Sequence, residues 1–177
     1  MKQMLKASDF PGAMEKLTSL ILASETDFKN VALVGIHTRG VPLAKRLSEV
    51  LKAQGKTVLQ GILDINLYRD DLSQISDQPI LKETKIEFDV TGKVIYLVDD
   101  VLYTGRTVRA AMDALFDLGR PRAIHLVVFA RRNGRELPID TRFTALDIDT
   151  KTTDNIKVKF VETDGKDDVT VLEKGEY

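Results

Sequence analysis

Three short apolar runs constrain this chain more than anything else in it. Val31–Ile36, Lys93–Val98 and Ala123–Phe129 are brief, rich in Val, Ile and Leu, and lack the apolar–polar alternation of a half-exposed strand. Runs of that kind read as strands covered on both faces. Segments of helical period follow the first two, Leu43–Ala53 with Pro42 to open it and Gly55 to end it, and Thr107–Leu118 stopped by Gly119 and Pro121. Strands alternating with helices imply an α/β fold with a mainly parallel central sheet flanked by helices.

The remaining segments are placed around that frame. Ala13, Met14, Leu17, Leu20 and Ile21 recur at helical spacing, predicting a helix over Phe10–Ser24 that Ser8 or Asp9 can cap. Thr57–Tyr68 alternates, with Leu59, Gly61, Leu63, Ile65 and Leu67 on one face, and reads as a half-covered strand. Arg69–Thr84, which holds Asp70 and Asp71, has too few apolar residues to pack and reads as a long flexible loop of the kind that closes over sites. Asp99–Arg106 reads as a loop after its strand. Arg142–Ile148, Ile156–Val161 and Val169–Leu172 look like short strands without intervening helices, a small C-terminal antiparallel hood contributed by about residues 142–177.

Composition narrows the class. The chain has 177 residues, enough for a single domain over 1–177, with no repeat or linker to divide it. With 26 Lys+Arg against 27 Asp+Glu, the net charge of −1 removes the whole-chain footprint of a nucleic-acid binder while leaving room for a local basic face. The absence of cysteine excludes disulfides, thiolate metal sites and a cysteine nucleophile. No apolar run approaches the roughly 20 residues needed to span a bilayer, so a cytoplasmic protein with no membrane partner is expected.

Ligands of open α/β sheets bind at the carboxyl ends of the strands. Two such ends carry unusual chemistry here. From Val94 to Val98 a hydrophobic strand runs into Asp99-Asp100-Val101-Leu102-Tyr103-Thr104-Gly105-Arg106-Thr107. Backbone amides at a helix start, with the Thr104 and Thr107 hydroxyls, make a phosphate cradle, and Gly105 permits close approach. Two acids beside it would repel phosphate; they suit sugar hydroxyls or hydrated Mg²⁺. The ligand implied combines a phosphate with a vicinal diol, as ribose 5-phosphate does. The other end is the tight loop Gly35-Ile36-His37-Thr38-Arg39-Gly40.

Val94–Thr107 resembles, nearly residue for residue, the signature of the type I phosphoribosyltransferases, which bind phosphoribosyl diphosphate. The resemblance implies their fold. It also implies that Asp99, Asp100 and Arg39 are catalytic, that Asp99–Thr107 (including Val101, Leu102 and Tyr103) bind the ribose phosphate, and that Thr38, Arg39 and Gly40 hold diphosphate. Mg²⁺ would come with the ligand, faced by Asp99 and Asp100, and the loop beginning Arg69, Asp70, Asp71 would close over the site. Within the family, Ile65–Ser73, Asp99–Arg109 and Arg135-Glu136-Leu137-Pro138-Ile139 are most similar to the branch that combines uracil phosphoribosyltransfer with regulation of pyrimidine operons. That branch implies uracil and uridine monophosphate (UMP) as partners, a pyrimidine (pyr) mRNA leader where the regulatory role holds, and a homodimer or larger homo-oligomer. It also sets Arg132 and Ile156 near the base.

Other readings of the same residues stand beside these. Paired acids at a strand end also occur in receiver domains, although there the pair closes the first strand. His37 could contact diphosphate or be a solvated loop residue, His125 is a sheet residue without a role, and Asp70-Asp71 could be the solvated flank of a turn. Arg135 and Glu136 read as a surface ion pair. An RNA-binding attenuator using the nucleotide site as sensor would draw on Arg120, Arg122, Arg131, Arg132, Arg135 and Arg142. Against it, Ala130-Arg131-Arg132-Asn133-Gly134 replaces an acid-arginine-glycine-histidine pattern of regulatory members, Ser19 stands where they carry an arginine beside Thr18, and Glu162–Tyr177 is acidic. Transfer to another base, orotate or a purine, is the third alternative.

Overall fold

The structure is a computed structural model that describes residues 1–69 and 83–175. Asp70, Asp71 and most of the expected loop lie outside the described residues. In chain order the elements are β1 (Lys2–Lys6), α1 (Phe10–Ser24), β2 (Val31–Ile36), α2 (Gly40–Ala53), β3 (Leu59–Leu63), β4 (Val94–Leu102), α3 (Arg106–Leu118), β5 (Ala123–Arg132), β6 (Phe143–Ile148), β7 (Asn155–Lys159), α4 (Val161–Asp164) and β8 (Asp168–Leu172).

Among the described residues, five strands form a sheet in the order β3-β2-β4-β5-β6, every neighbouring pair parallel. The uninterrupted apolar runs are explained by burial on both faces. Val31 and Leu33, Val94 and Tyr96, and Val127 and Phe129 pack with Leu17, Leu43 and Leu47 of α1 and α2. The alternate residues Ala32 and Val34, Ile95 and Leu97, and Leu126 and Val128 pack with Val108, Ala111 and Leu115 of α3. No described helix is long and apolar enough to cross a membrane.

Several boundaries move from their sequence expectation, each for a local reason. β4 continues past Val98 through both acids, because β5 keeps offering a partner from Asp99↔Val128 to Leu102↔Arg131. β6 is no part of the hood; it pairs in parallel with β5 and forms the edge of the central sheet. The hood's own strands start at Asn155, and the polar N-terminal segment β1 completes its three-stranded antiparallel sheet, order β1-β8-β7. α2 begins at Gly40, since Pro42 falls in a first turn whose amides have no intrahelical acceptor anyway. Asp9 does not cap α1; its carboxylate accepts from the Lys6 amide at 2.9 Å. Only Leu59–Leu63 of the alternating segment is strand, and the 3-10 turn Asn66–Tyr68 then leaves Leu67 exposed.

The hood is seated through aromatic packing. Phe160, fully buried, meets the rings of Phe10 and Phe129 edge-on at 5.9 and 5.7 Å, while Phe10 stacks on Phe129 at 4.7 Å. The Arg46 guanidinium of α2 lies 5.2 Å over Phe160 and grips Glu162 and Asp167 of the hood, both at 2.7 Å. Truncating Phe160→Ala should cost about 3–5 kcal/mol, the usual loss for a buried aromatic; urea titration followed by circular dichroism checks it.

Candidate active site

The site is a consequence of topology. β2 and β4 are neighbours, but β2 leads into α2 on one face of the sheet and β4 into α3 on the other. A crevice opens where two such connections part. Its inner edge is bare because β2 stops pairing at Gly35↔Val98, so Asp99 and Asp100 extend beyond it, held by β5 alone.

Asp99 is buried with 7% exposure and Asp100 is part-exposed. Each carboxylate accepts the next residue's amide at 2.9 Å, Asp99 from Asp100 and Asp100 from Val101. Burial, and then the charge of Asp100, push the Asp99 carboxyl well above the usual carboxylate range. Burial raises Asp100 too, against the hydrogen bond with Asp99 and the charge of Arg39.

The loop from Gly35 to Gly40 reaches this strand only because two side chains are missing. A Cβ on Gly35 would stand 2.7 Å from the Gly40 carbonyl oxygen, and one on Gly40 would collide with the Val98 carbonyl. The His37–Thr38 peptide is cis, and the His37 amide donates to the Leu63 carbonyl at 3.0 Å. Thr38 is exposed. Arg39 faces Asp100 electrostatically and forms a fork with Asp164 of α4, Nε to Oδ2 at 3.0 Å and Nη2 to Oδ1 at 2.7 Å. Those bonds hold the Asp164 carboxyl below its ordinary range. Nothing local in the acidic stretch after Phe160 marks Asp164 as a partner of a loop so far away in sequence.

On the other side of the acids, Gly105 has φ +93°, a left-handed conformation that caps α3 without any side-chain hydrogen bond. Thr104 Oγ1 accepts the Arg106 amide at 3.3 Å. The Arg106 side chain turns outward to Glu136 at 2.6 Å, so it contributes its backbone and not its charge to the turn. Tyr103 is held between Arg132, whose guanidinium lies 4.1 Å over the ring, and Gly134, where a Cβ would meet the ring at 2.5 Å.

Arg132 is 4% exposed and donates to the carbonyls of Lys151 at 2.8 Å, Asp154 at 2.5 Å and Asn133 at 3.3 Å. It ties the turn that enters β7 to Tyr103. Ile156 is buried in the core, paired with Val171. The expected arginine cluster is largely consumed: Arg131 bonds Asp147 and Asp140, and Arg135 bonds backbone carbonyls. Thr18 is buried, its hydroxyl donating to the Met14 carbonyl at 2.8 Å. Among the described residues, no group of three or more His, Asp or Glu could hold a metal alone.

The model of the phosphoribosyl transferase domain matches residues 3–163. This chain belongs to the phosphoribosyltransferase family. It is 49% identical to the bifunctional protein PyrR of Thermus aquaticus, over 97% of this chain and 96% of that one. With the protein of the same name from Deinococcus radiodurans it shares 46%, over 96% and 93%. Among solved structures, a hypoxanthine phosphoribosyltransferase from Staphylococcus aureus superposes with a TM-score of 0.72 at 16% identity, covering 99% of this chain and 94% of that one. The enzyme from Leishmania tarentolae in complex with GMP gives 0.72 at 16% identity, over 98% and 96%. The phosphoribosyltransferase fold, with its parallel sheet and antiparallel hood, is thereby established, and the activity class is phosphoribosyl transfer.

The raised Asp99 makes a prediction about this phosphoribosyltransferase. Stability from a raised carboxyl is present below the ordinary carboxylate value and lost as pH rises through the folded value. Asp99→Asn keeps the acceptor for the Asp100 amide and removes the buried charge. Without ligand it should melt above the wild type by a few degrees, on the order of 2–4 °C per kcal/mol gained. The gap should shrink as the pH is lowered; calorimetry at two pH values checks this, and a gap independent of pH contradicts it.

Proposed function

We propose that this chain transfers the phosphoribosyl group from phosphoribosyl diphosphate to uracil, yielding UMP and diphosphate. The observation that carries this reading is the Asp99–Asp100 pair, the first buried and the second part-exposed, standing between a left-handed Gly105 turn and Arg39. Ribose hydroxyls meet the carboxylates, the 5-phosphate lies against the Tyr103–Thr107 turn, and diphosphate lies against Thr38, Arg39 and Gly40. The bond from the anomeric carbon to the diphosphate oxygen breaks, its electron pair leaves with diphosphate, and a uracil nitrogen forms the new bond and loses its proton. Charge appears on the departing diphosphate, so stabilising that group and positioning the base are the tasks of the protein. A side-chain nucleophile has no part in it.

The family works on the Mg²⁺ complex of phosphoribosyl diphosphate. A carboxylate pair whose ionisation is disfavoured by burial suits a cation-bearing ligand, and hard oxygen donors are what Mg²⁺ prefers. Asp99 and Asp100 are the side chains that would face the ion, which when bound neutralises the leaving charge. On the base side, Arg132 acts by holding the Lys151 and Asp154 carbonyls in place. Ile156, at the start of β7, lies next to that turn. Uracil presents one donor flanked by two acceptors, which backbone groups can read.

Regulation by RNA is the second reading, favoured by the word "bifunctional" in the names of the relatives and by one surface. Each strand of the central sheet is preceded by a basic residue: Lys56, Lys29, Lys93, Arg120 with Arg122, and Arg142. Lys93 bonds Asn30 at 3.2 Å, the Arg122 amide bonds the Lys93 carbonyl at 2.8 Å, and Lys56 lies 5.5 Å over Phe28. Among the described residues none of the six forms an ion pair. At about 4.8 Å per strand they line some 20 Å at the end opposite the acids, a row that fits an RNA backbone.

Two measurements test these readings. Asp100→Ala should reduce turnover of radiolabelled uracil with phosphoribosyl diphosphate to background while the circular dichroism spectrum stays unchanged; undiminished turnover overturns the assignment. In filter binding at fixed salt, a pyrimidine-operon leader RNA should bind more tightly with UMP. The Arg120→Ala/Arg122→Ala double variant should bind it less tightly while turning over uracil normally, and RNA binding indifferent to UMP removes the regulatory reading.

A further inference from the structure

A backbone that turns its amides towards a phosphate turns its carbonyls away, and those carbonyls need donors of their own. Three consecutive carbonyls at the end of β4 obtain them from a single segment. Arg135 Nη1 donates to the Leu102 carbonyl at 3.3 Å and more closely to that of Tyr103. The amides of Glu136 and Leu137 both donate to the Thr104 carbonyl, at 3.0 and 3.1 Å. The Glu136 carboxylate holds Arg106, the first residue of α3, at 2.6 Å. Beneath the turn, the Cβ atoms of Leu137 and Ile139 stand 3.4 Å from where a Gly105 Cβ would be.

Arg135 is itself over-determined. Nε donates to the Ile139 carbonyl at 3.0 Å, Nη1 to the Arg132 carbonyl at 2.7 Å, and Nη2 reaches Asp140 at 3.5 Å. Its side chain is 23% exposed, so this is no surface ion pair with Glu136. A guanidinium spreads five donors over three nitrogens in a rigid plane and so reaches carbonyls on opposite sides, whereas an ammonium has three donors on a single nitrogen.

We infer that Arg135-Glu136-Leu137 is a clamp on the phosphate turn, with Arg135 as a positioning residue that acts through the Leu102–Thr104 backbone and touches no ligand. The inference rests on the proposed reading of the turn as the 5-phosphate site. Its effect falls chiefly on the phosphate, because the Arg132 guanidinium keeps its own bonds to the Lys151 and Asp154 carbonyls on the base side. A loosened turn loses aligned amides, while the ribose and base contacts, carried by Asp99, Asp100 and the hood, stay in place.

The test compares UMP with uridine by calorimetric titration of wild type, Arg135→Gln and Arg135→Lys. Arg135→Gln should weaken UMP at least about tenfold, the scale of lost hydrogen bonds to a charged group, and leave uridine unchanged. Arg135→Lys should fall between. In turnover, the KM for phosphoribosyl diphosphate should rise while that for uracil holds. If Arg135→Gln fails to fold, Arg135→Lys decides by the same criterion. Equal weakening of UMP and uridine, or UMP binding within twofold of wild type, overturns the clamp. Wild type that binds UMP no better than uridine overturns the phosphate site itself, and the clamp with it.

Discussion

Two adjacent carboxylates inside a buried parallel strand are an expensive arrangement, and much of the molecule is organised around them. β4 could have ended at Val98, where the apolar pattern ends and β2 departs. It continues because β5 pairs with it as far as Leu102, carrying Asp99 and Asp100 to the mouth of the crevice. Burial then raises both carboxyls. Under the proposed function, sugar hydroxyls and a cation-bearing diphosphate put that unfavourable charge to use. Strain of this kind at a functional site is offset by packing elsewhere, here by strands buried on both faces.

The acids are bracketed by two backbone features of opposite construction. On the β2 side, Gly35 and Gly40 remove side chains so that the loop can lie against Val98. On the α3 side, Gly105 supplies a left-handed turn. Both features are tied to distant segments. Arg39 forks onto Asp164 of the hood, and the turn is held by Arg135, Glu136 and Leu137. The hood is also joined to α2 through Arg46, Glu162 and Asp167. The Gly35–Gly40 loop is thus joined to the hood, and the turn before α3 to the segment after β5, although these pieces come from different parts of the chain.

What the sequence made legible was local. The core strands were visible as apolar runs because both faces are covered, and the turn between β4 and α3 was visible because its acids, threonines and glycine are contiguous. The parallel docking of β6 and the recruitment of Lys2–Lys6 into the hood depend on partners far away in sequence, and neither segment has a distinctive pattern. Asp164 looked like one acid among several in a polar tail. Arg135 looked like half of a surface ion pair, because bonds to backbone carbonyls leave no mark on the sequence of the accepting residues. The same blindness made Arg131, Arg132 and Arg135 read as an open basic patch, when each is spent on internal partners. The row of basic residues before the strands became visible only once the strand order was known.

The central claim is that this active site passes a phosphoribosyl group to uracil. It is tested most directly by measuring initial rates for the wild-type protein with phosphoribosyl diphosphate, Mg²⁺ and each of uracil, orotate and hypoxanthine as acceptor. The account predicts UMP from uracil and little or no product from the other two. Efficient transfer to hypoxanthine or orotate, with uracil inert, would contradict it.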